Sequence, residues 1–358
     1  MTIKPGAFRF NSDSGKLEIF RGSANYGGTA SSAGIGTLAA GQWEEILATS
    51  PEVETGGTRG VFSGIGGYPT ISAVMNYVNV NTAGNAISFG SLTLPTRYGN
   101  AVGSRTRGVV FQGITPSINE DLNIQFYTFA STGSTIDFGS NSLDGRYGAI
   151  ACSNSTRAVR GGGWDGSANT HVMDYLTIAS TGSECKDFGN LAMSFRYGND
   201  SFANSTRGIM TGGYPGVSGG VETNIDFITI QTQGNTADFG DLNTAVNGGS
   251  QGGCNATRGL LVGGHNGSSA TNLIDYITIA TLGDAIDFGD LLTTTVYGAC
   301  AASKTRLVVA MGNYPVYVNT INFVEFGSLG DATDFGNLTV TGGDSGTHQG
   351  ASNGHGGL

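Results

Sequence analysis

The feature that most constrains this chain is a repeat of about 49 residues that runs through most of its length. In step with this repeat, a Thr-Arg pair occurs six times, and the intervals between successive pairs of this set are 48, 50, 50, 51 and 48 residues. A repeat of this length indicates a supersecondary unit that buries its apolar faces only against copies of itself. The arginines of these pairs are Arg59, Arg107, Arg157, Arg207, Arg258 and Arg306.

Each repeat contains four short stretches that are typical of β-strands. A Tyr-Gly run opens the unit, as at 147–153, and a run that follows Thr-Arg and ends in glycines comes second. The third stretch is centred on an aromatic residue, as in IDYITI (274–279), and is apolar on both alternating faces, which predicts burial on both sides. The fourth is an Asp-Phe-Gly run, which predicts a short edge strand. The aspartates of this run are Asp137, Asp187, Asp238, Asp287 and Asp334.

Four antiparallel strands per repeat, buried on both faces, predict one blade of a β-propeller. Residues 352–358 look like a decayed Thr-Arg segment, and no Tyr-Gly strand directly precedes the first pair at Thr58. The strand before 352 is therefore expected to complete the first blade and to close a ring of six. A seventh blade and a linear β-solenoid are the weaker alternatives, because residues 1–50 lack the repeat motifs and solenoid coils are usually shorter.

The amino-acid composition argues against several classes of function. Glycine contributes 61 of 358 residues and is interleaved with Ile, Val, Tyr and Phe, as expected for many tight turns. With a net charge of −10 and 12% charged residues, the chain lacks the Lys/Arg stripe that grips nucleic acid or an anionic membrane. No apolar run approaches the roughly 18 residues of a membrane-spanning helix, and no secretion signal opens the sequence. We expect a protein that stays soluble in the cytoplasm where it is made, with no nucleic-acid partner and no membrane insertion.

No group of residues predicts catalysis, a metal site or a cofactor. Repeated DFG runs without a kinase catalytic loop indicate architecture. The four cysteines form no CxxC pair, and the four histidines lie in different repeats without ligand spacing. We predict structural roles for both recurring charged sets: the arginines bridge carboxylates and carbonyls between blades, and the aspartates bond turns or those arginines.

The segment after the second strand changes in length and chemistry from repeat to repeat, while the strands hardly change. In a propeller this loop and the link between blades lie on one face, and loops on a rigid scaffold often carry function. Aromatic and polar tips suit a sugar, whose CH face stacks on a ring while its hydroxyls bond polar groups. The alternative is that these aromatics only pack the loops against the rim. The candidate ligand-binding residues are Tyr68, Trp164, Asp165, Tyr214, His265, Tyr314 and Tyr317.

The order of these motifs resembles the kelch repeat over residues 56–358, although Phe of DFG replaces the tryptophan usual in the fourth kelch strand. NLIDYITIATLGDAIDFGDL (272–291) and NSTRGIMTGG (204–213) are more specifically similar to kelch-like repeats in structural proteins of tailed bacteriophages, of the tail or fibre type and marine cyanophage-like. GAFRFNSDSGKLEIFRG (6–22), followed by GQWEEI (41–46), looks like a hairpin module of phage tail and fibre proteins, where it serves attachment and assembly.

These observations predict an all-β protein with an N-terminal β-hairpin attachment module, residues 1–54, and a six-bladed kelch-like β-propeller, residues 55–358. The resemblance implies a virion protein that is assembled in the host cytoplasm, contacts other virion proteins through residues 1–54, and recognises a host-surface glycan or protein. A purely structural or decoration role is the second alternative. A polysaccharide-degrading enzyme is the third and would need a carboxylate pair. Phage fibres include trimers, so a homo-oligomer stays open, although no coiled-coil pattern is present.

Overall fold

The structure is a computed structural model that describes residues 7–11, 16–21, 42–45, 57–65, 71–193, 201–211, 213–214, 220–310, 312, 317–341 and 349–358. The chain divides into two compact units, Met1–Glu54 and Thr55–Leu358. The described residues form strands, turns and bends without a helix, which confirms the predicted all-β class. Accordingly, none of these residues belongs to a helix long and apolar enough to cross a membrane.

The first unit contains a three-stranded antiparallel sheet of β1 (Phe8–Asn11), β2 (Lys16–Arg21) and β3 (Gln42–Glu45), in that order. β1 and β2 form the predicted hairpin and place Phe8 opposite Ile19. β3 comes from the GQWEEI segment and places Trp43 opposite Phe20, which is buried. The predicted turn at 12–15 lies outside the described residues. An alternating apolar pattern on two short strands therefore forms a small sheet with a third strand added from further along the chain.

The regular secondary structure in the described part of the second unit consists of β-strands. In chain order they are β4 (Arg59–Ser63), β5 (Val74–Asn79), β6 (Ile87–Ser91), β7 (Asn100–Gly103), β8 (Arg107–Phe111), β9 (Asn123–Thr128), β10 (Ile136–Asn141), β11 (Ile150–Ser153), β12 (Arg157–Gly161), β13 (Val172–Thr177), β14 (Lys186–Asn190), β15 (Ser201–Ala203), β16 (Arg207–Thr211), β17 (Glu222–Thr229), β18 (Ala237–Val246), β19 (Gln251–Cys254), β20 (Arg258–Val262), β21 (Thr271–Thr278), β22 (Ile286–Thr295), β23 (Ala299–Ala302), β24 (Arg306–Ala310), β25 (Thr320–Glu325), β26 (Thr333–Asn337) and β27 (Gln349–Ser352).

These strands form six four-stranded antiparallel sheets, which we number as blades I to VI. Blade I has the order β27-β4-β5-β6, and blades II to VI follow as β7–β10, β11–β14, β15–β18, β19–β22 and β23–β26. The first strands of the six blades contact one another in a closed cycle and therefore surround a central axis. The predicted six-bladed propeller is confirmed, and the seven-bladed and solenoid alternatives are wrong.

Blade I is shared by two distant parts of the chain, as the sequence predicted. β27 pairs with β4 in antiparallel register. Just beyond β27, the Asn353 side chain accepts a hydrogen bond from Arg59 N at 3.0 Å. In blade III the same turn is continuous in sequence, and Asn154 Oδ1 accepts from Arg157 N at 2.9 Å. The decayed copy therefore keeps the turn chemistry of the repeat at its asparagine.

The apolar core lies between the blades. In the second strands every residue after the arginine is buried, and the third strands bury residues on both faces. The buried apolar residues form six clusters, and each cluster combines residues of two adjacent blades. A single blade therefore leaves apolar surface exposed on both sides, and ring closure supplies the missing neighbours.

The fourth strands are the outer edges of the blades. In most of them the first two residues are exposed and the phenylalanine is buried. The short edge strand predicted from DFG is present in every blade. In blades IV and V it continues for ten residues, because the start of the link still pairs with the third strand, as Glu222 does with Val246.

Candidate functional site

Five of the six recurring arginines hold their own blade to the next one. In five blades, Nη1 donates a hydrogen bond to the backbone carbonyl at the end of the third strand of the following blade. Arg306 differs, because its Nε and Nη2 atoms bond Glu325 Oε1 of the same blade at 2.8 and 2.6 Å. A guanidinium group suits this joint because its donors are fixed in a planar fork. The five donors and their carbonyl acceptors are Arg59 and Phe129, Arg107 and Ile178, Arg157 and Ile230, Arg207 and Ile279, and Arg258 and Phe326.

Each of these arginines also stacks on the central aromatic ring of its own third strand. The guanidinium carbon lies between 4.2 and 4.9 Å from the ring centroid. The same ring packs edge-to-face on the DFG phenylalanine, with centroids between 5.9 and 6.2 Å apart. In blade III the stack is Arg157, Tyr175 and Phe188. Cation–π and aromatic contacts thus join three repeated motifs into one structural unit.

The DFG run forms the outer joint between blades. Phe188 O accepts a hydrogen bond from Gly234 N of the next blade at 2.8 Å. A Cβ on Gly189 would lie 2.4 Å from Gly234 O, so a glycine is needed for this close approach. The DFG aspartates are exposed, and none of the described residues shows an ion pair between them and a Thr-Arg arginine. Asp137 instead accepts a turn hydrogen bond from Gly139 N at 3.0 Å.

A ring of buried polar side chains, one in the third strand of each blade, was not predicted from the sequence. Several of them bond the link that leads out of the preceding blade. Gln125 Oε1 accepts from Leu94 N at 3.1 Å, and Asn76 Oδ1 accepts from Thr339 N at 2.9 Å. These contacts fix the links before they enter the axis. The six residues are Asn76, Gln125, Asp174, Asp226, Asp275 and Asn322.

In blade III this buried position is a carboxylate between two arginines. Arg146 Nη2 lies 2.6 Å from Asp174 Oδ1 and Arg160 Nη2 lies 3.1 Å from Oδ2, and all three side chains are completely buried. Burial alone would raise the pKa of Asp174, but the two positive charges outweigh it and hold this pKa below its usual value. Burial lowers the pKa of Arg146 to about 10, and the charge of Arg160 acts in the same direction. Asp174 Oδ2 also accepts from Leu143 N at 3.1 Å, which fixes the link between blades II and III.

The variable loops and the links between blades share one face, which we call the loop face. Tyr147 of a link and Trp164 of a loop exchange backbone hydrogen bonds of 3.1 and 2.9 Å. Asn247 N donates to His265 O at 2.9 Å in the same way, so Trp164 and His265 occupy equivalent places. Both side chains are half-buried. The structure therefore places two residues named from the sequence beside links that lead to the axis.

The remaining candidate residues have other surroundings. Asp165 is exposed and accepts hydrogen bonds from Ala168 N and Ser167 N at 2.8 and 2.9 Å. These bonds lower the pKa of Asp165 and show that its carboxylate holds its own turn. Tyr214 is half-buried in the loop of blade IV, and Tyr317 is exposed in the loop of blade VI. Tyr68 and Tyr314 lie outside the described residues.

Three tyrosines of the Tyr-Gly runs, Tyr98, Tyr147 and Tyr297, converge on the axis at the loop face, and we call them the axial tyrosines. The ring centroid of Tyr98 lies 5.9 Å from that of Tyr147 and 6.5 Å from that of Tyr297, and all three residues are half-buried. The Arg97 guanidinium lies 5.7 Å from the Tyr98 ring centroid. Burial raises the pKa of Tyr147, and the negative charge of Glu120 adds to this shift while Arg97 opposes it. Sequence reasoning identified these tyrosines only as repeat markers.

Small side chains of the first strands leave two cavities along the axis. One of about 60 Å³ lies towards the face opposite the loops, where His355 and Gly103 line it. The other, of about 40 Å³, begins at Gly99, directly after Tyr98. Gln349 and Ser201 line the second cavity, and their Nε2 and Oγ atoms make no hydrogen bond within the described part of the chain.

The five residues that follow Asn353 close the axis at the face opposite the loops. His355 Nε2 donates to Gly103 O at 2.8 Å, while Nδ1 accepts from Gly357 N at 3.1 Å, so the imidazole is neutral with its proton on Nε2. Burial lowers the pKa of His355, which favours this neutral form. The likeness of 352–358 to a Thr-Arg segment holds at Asn353, and beyond it the chain turns into the axis and forms no second strand.

Glycines make this closure possible. Gly356 N donates to Cys254 O at 2.8 Å, and Gly357 O accepts from Ser155 N at 3.0 Å. A Cβ on Gly356 would lie 2.1 Å from Asn255 O. Residues 354–358, which we call the axial plug, therefore bond blade II through the His355 side chain and blades III and V through backbone atoms of glycines that approach closely.

Among the described residues, no group of three or more His, Cys, Asp or Glu side chains is arranged to hold a metal ion. Cys152, Cys185, Cys254 and Cys300 are free thiols and are buried. Burial raises the pKa of Cys152 to about 12, so this thiol stays protonated at neutral pH. The cysteines act as small apolar residues of the blades.

Comparison with known proteins adds no family to this description. No protein-family model matches the chain, and no curated protein sequence matches it. The fold itself defines the class, which is a six-bladed β-propeller with a small N-terminal β-sheet unit.

Proposed function

We propose that this protein is a non-enzymatic structural component of a tailed-phage virion and that its propeller recognises a host-surface glycan. The virion location is supported by the resemblance of segments 204–213 and 272–291 to phage kelch-like repeats. The N-terminal sheet is the proposed contact with other virion proteins, on the basis of the resemblance of segment 6–22 to tail and fibre hairpins.

The observation that carries the proposal is the contrast between the joints and the loop face. The arginine and aromatic motifs and the Phe-Gly pair of the DFG run recur in every blade, and they form contacts within and between blades. The loops that change between repeats meet on one face, where Trp164 in blade III and His265 in blade V occupy equivalent backbone positions. A constant scaffold that presents different side chains at equivalent positions is typical of a binding surface.

The same contrast favours binding without catalysis. The recurring arginines are engaged by carbonyl oxygens or by Glu325, and the DFG aspartates are exposed on the outer edges, one in each of blades II to VI. A glycoside hydrolase needs two carboxyl groups that face one substrate bond. We therefore expect no release of reducing ends from host polysaccharide.

A second candidate, decoration of the virion surface, is favoured by the outer edges of the blades. Ile87, Ile136 and Ile286 begin the fourth strands of blades I, II and V, and each side chain is more than half exposed. Exposed apolar residues repeated around a rim suit contact with neighbouring proteins. In this alternative the propeller docks on other virion proteins through its rim.

Binding of the fluorescently labelled full chain to candidate host cells tests the proposal. We expect saturable binding that is lost after periodate oxidation of surface glycans and in the variant Trp164→Ala. The control Ile136→Ala changes the rim only and should bind cells as the wild type does. Absence of cell binding, together with capture of other virion proteins that Ile136→Ala weakens, would favour the decoration role.

A further inference from the structure

We infer that the axial tyrosines form a saccharide site on the propeller axis, with the Tyr98 ring as its platform, and that its ligand is an uncharged hexopyranose. This inference rests on the proposed function and specifies where on the loop face recognition takes place. It moves the site from the tips of the variable loops to the point at which the links that lead into blades II, III and VI meet.

The backbone of two axial tyrosines is the first observation. Tyr98 and Tyr297 have φ angles of 53° and 59°, and no other non-glycine residue in the described part of the chain has a positive φ. In blades III and V, the turn into the first strand uses Gly148 and Gly249, with φ angles of 66° and 71°. Glycine adopts this left-handed conformation freely, whereas a residue with a Cβ is strained in it.

The propeller therefore makes this turn without strain in two blades, where a glycine occupies the position. At positions 98 and 297 the turn carries a tyrosine despite the strain. Strained residues cluster at sites where the side chain has a function. The side chains of Tyr98 and Tyr297 point to that function, because their rings meet at 6.5 Å on the axis with an interplanar angle of 89°.

The site combines aromatic rings with one positively charged and one negatively charged side chain. The three half-buried tyrosine rings are the kind of aromatic surface on which the CH groups of a pyranose stack. Arg97 lies 5.7 Å from the Tyr98 ring, and the Glu120 carboxylate lies near 3.5 Å from the Cβ position of Gly166, in the loop that carries Trp164. A guanidinium group donates hydrogen bonds to hydroxyl oxygens, and a carboxylate accepts them from hydroxyl hydrogens.

The cavity below the rings is an independent observation. It begins at Gly99 and is lined by Gln349, which is 2% exposed and whose Nε2 atom has no hydrogen-bond partner among the described residues. The Oγ atom of Ser201, a half-buried residue, is also buried and has no hydrogen-bond partner among the described residues. The cavity of about 40 Å³ is too small for a sugar ring and suits water, so these two unbonded polar atoms indicate ordered water beneath the rings, which a sugar hydroxyl can bond. With a chain charge of −10, an uncharged sugar fits better than a polyanionic one.

Titration of the purified full chain with methyl glycosides of glucose, galactose, mannose and N-acetylglucosamine tests the site, with saturation-transfer NMR and calorimetry as readouts. The variants are Tyr98→Asn and Tyr297→Asn, because asparagine tolerates the left-handed conformation and should keep the fold. The control is Tyr276→Phe, which keeps the ring in a blade joint. We expect binding of at least one glycoside, a loss of about tenfold or more in affinity for each Asn variant, and no loss for the control.

Two results would overturn the inference: unchanged affinity in both Asn variants, or no binding of any of the glycosides by the wild type. The cell-binding experiment separates this inference from the proposed function. Cell binding that survives in Tyr98→Asn would reject the axial site and leave the proposed function intact. A wild type that binds no cells would reject the proposed function, and the glycoside titration would still decide the axial site.

Discussion

The two ends of the propeller axis are closed in different ways. At the loop face, three half-buried tyrosine rings meet, and two of them stand on left-handed backbone. At the opposite end, the axial plug closes the ring with backbone hydrogen bonds, glycines and a neutral histidine. One end presents side chains to solvent at a conformational cost, and the other uses small residues to hold three blades together. The proposed recognition site and the ring closure thus lie at opposite ends of the same strands.

The largest loss of stability is expected at the tyrosine end, from Asp174→Ala. This change leaves Arg146 and Arg160 fully buried without their shared carboxylate. Breaking a buried ion pair in this way lowers the free energy of unfolding by about 3–5 kcal/mol. The control is Asp187→Ala, which lies opposite Asp174 in the sheet register but is exposed, and should change stability by less than about 0.5 kcal/mol. Chemical denaturation measures both, and equal losses would contradict a stabilising role for the buried carboxylate.

The next effect is expected at the plug end, from removal of residues 354–358. Three hydrogen bonds are lost, those of His355, Gly356 and Gly357 to other blades, at about 1 kcal/mol each. We expect a loss of about 3 kcal/mol, seen as a thermal midpoint lower by roughly 6 °C. Glycan binding at the loop face should persist.

A finer test of the same end compares two glycines. Gly356→Ala places a Cβ 2.1 Å from a carbonyl oxygen, whereas Gly327→Ala meets no atom within 4 Å. Only the first should lower the thermal midpoint. A similar effect of both changes would show that the plug tolerates a side chain.

A smaller loss of stability is expected when the pH is lowered, and it arises from His355 in the axial plug. Burial lowers the pKa of His355 in the folded protein, whereas the unfolded chain has an ordinary value of about 6.5. Above this pH the imidazole is neutral in both states and pH has no effect through it. Below it only the unfolded chain takes up the proton, so stability falls by no more than about 1.4 kcal/mol per pH unit until the folded pKa is reached.

His355→Gln should remove the loss of stability that His355 causes on acidification. Thermal unfolding between about pH 7 and about pH 5, a range that brackets the ordinary histidine pKa, measures this difference. Cys152 and Cys254, which line the same cavity, do not contribute, because burial raises the pKa of both thiols and keeps them protonated. The lowered pKa of Asp174 matters only in more acidic solution, below about 4. An unchanged slope in the glutamine variant would contradict the neutral plug histidine.

The smallest change in stability is expected from Tyr98→Gly. Relief of the left-handed conformation contributes about 1–2 kcal/mol. Loss of the ring contacts with Tyr147 and Tyr297 opposes it by about 0.5–1.5 kcal/mol each. The net change should stay within about 1 kcal/mol in denaturant unfolding, although sugar binding is lost. A large destabilisation would show that the ring is needed for the fold and would weaken the comparison of the two ends.

The repeat predicted the ring because each of its motifs acts at a joint that recurs in every blade. The period gave six units, and the missing strand before Thr58 indicated closure by the last strand. The carbonyl bonds of the arginines follow from the same regularity. Their stacking on aromatic rings did not follow, because strand register decides which side chains meet, and the sequence does not show register directly.

Features that break the repeat were harder to predict. Asp174 looked like one more residue of the DYITI pattern, and its partners come from a link and from a second strand. Arg160 was the available signal, since a charged residue in a strand buried on both faces requires a buried partner. The axial tyrosines meet only when links from three blades are brought to one axis, a geometry that pairwise motif spacing does not contain.

The pairing of β27 with β4 also has a consequence for how the chain is made. Arg59 and Asn353 are 294 positions apart, yet they share a turn. During synthesis the N-terminal strands of blade I leave the ribosome long before their partner, so an unpaired strand edge waits until almost the whole propeller has been translated. Such edges promote misassembly between nascent chains. Efficient folding should therefore depend on how quickly the last blades are translated, and slow codons before β27 should lower the yield of closed rings.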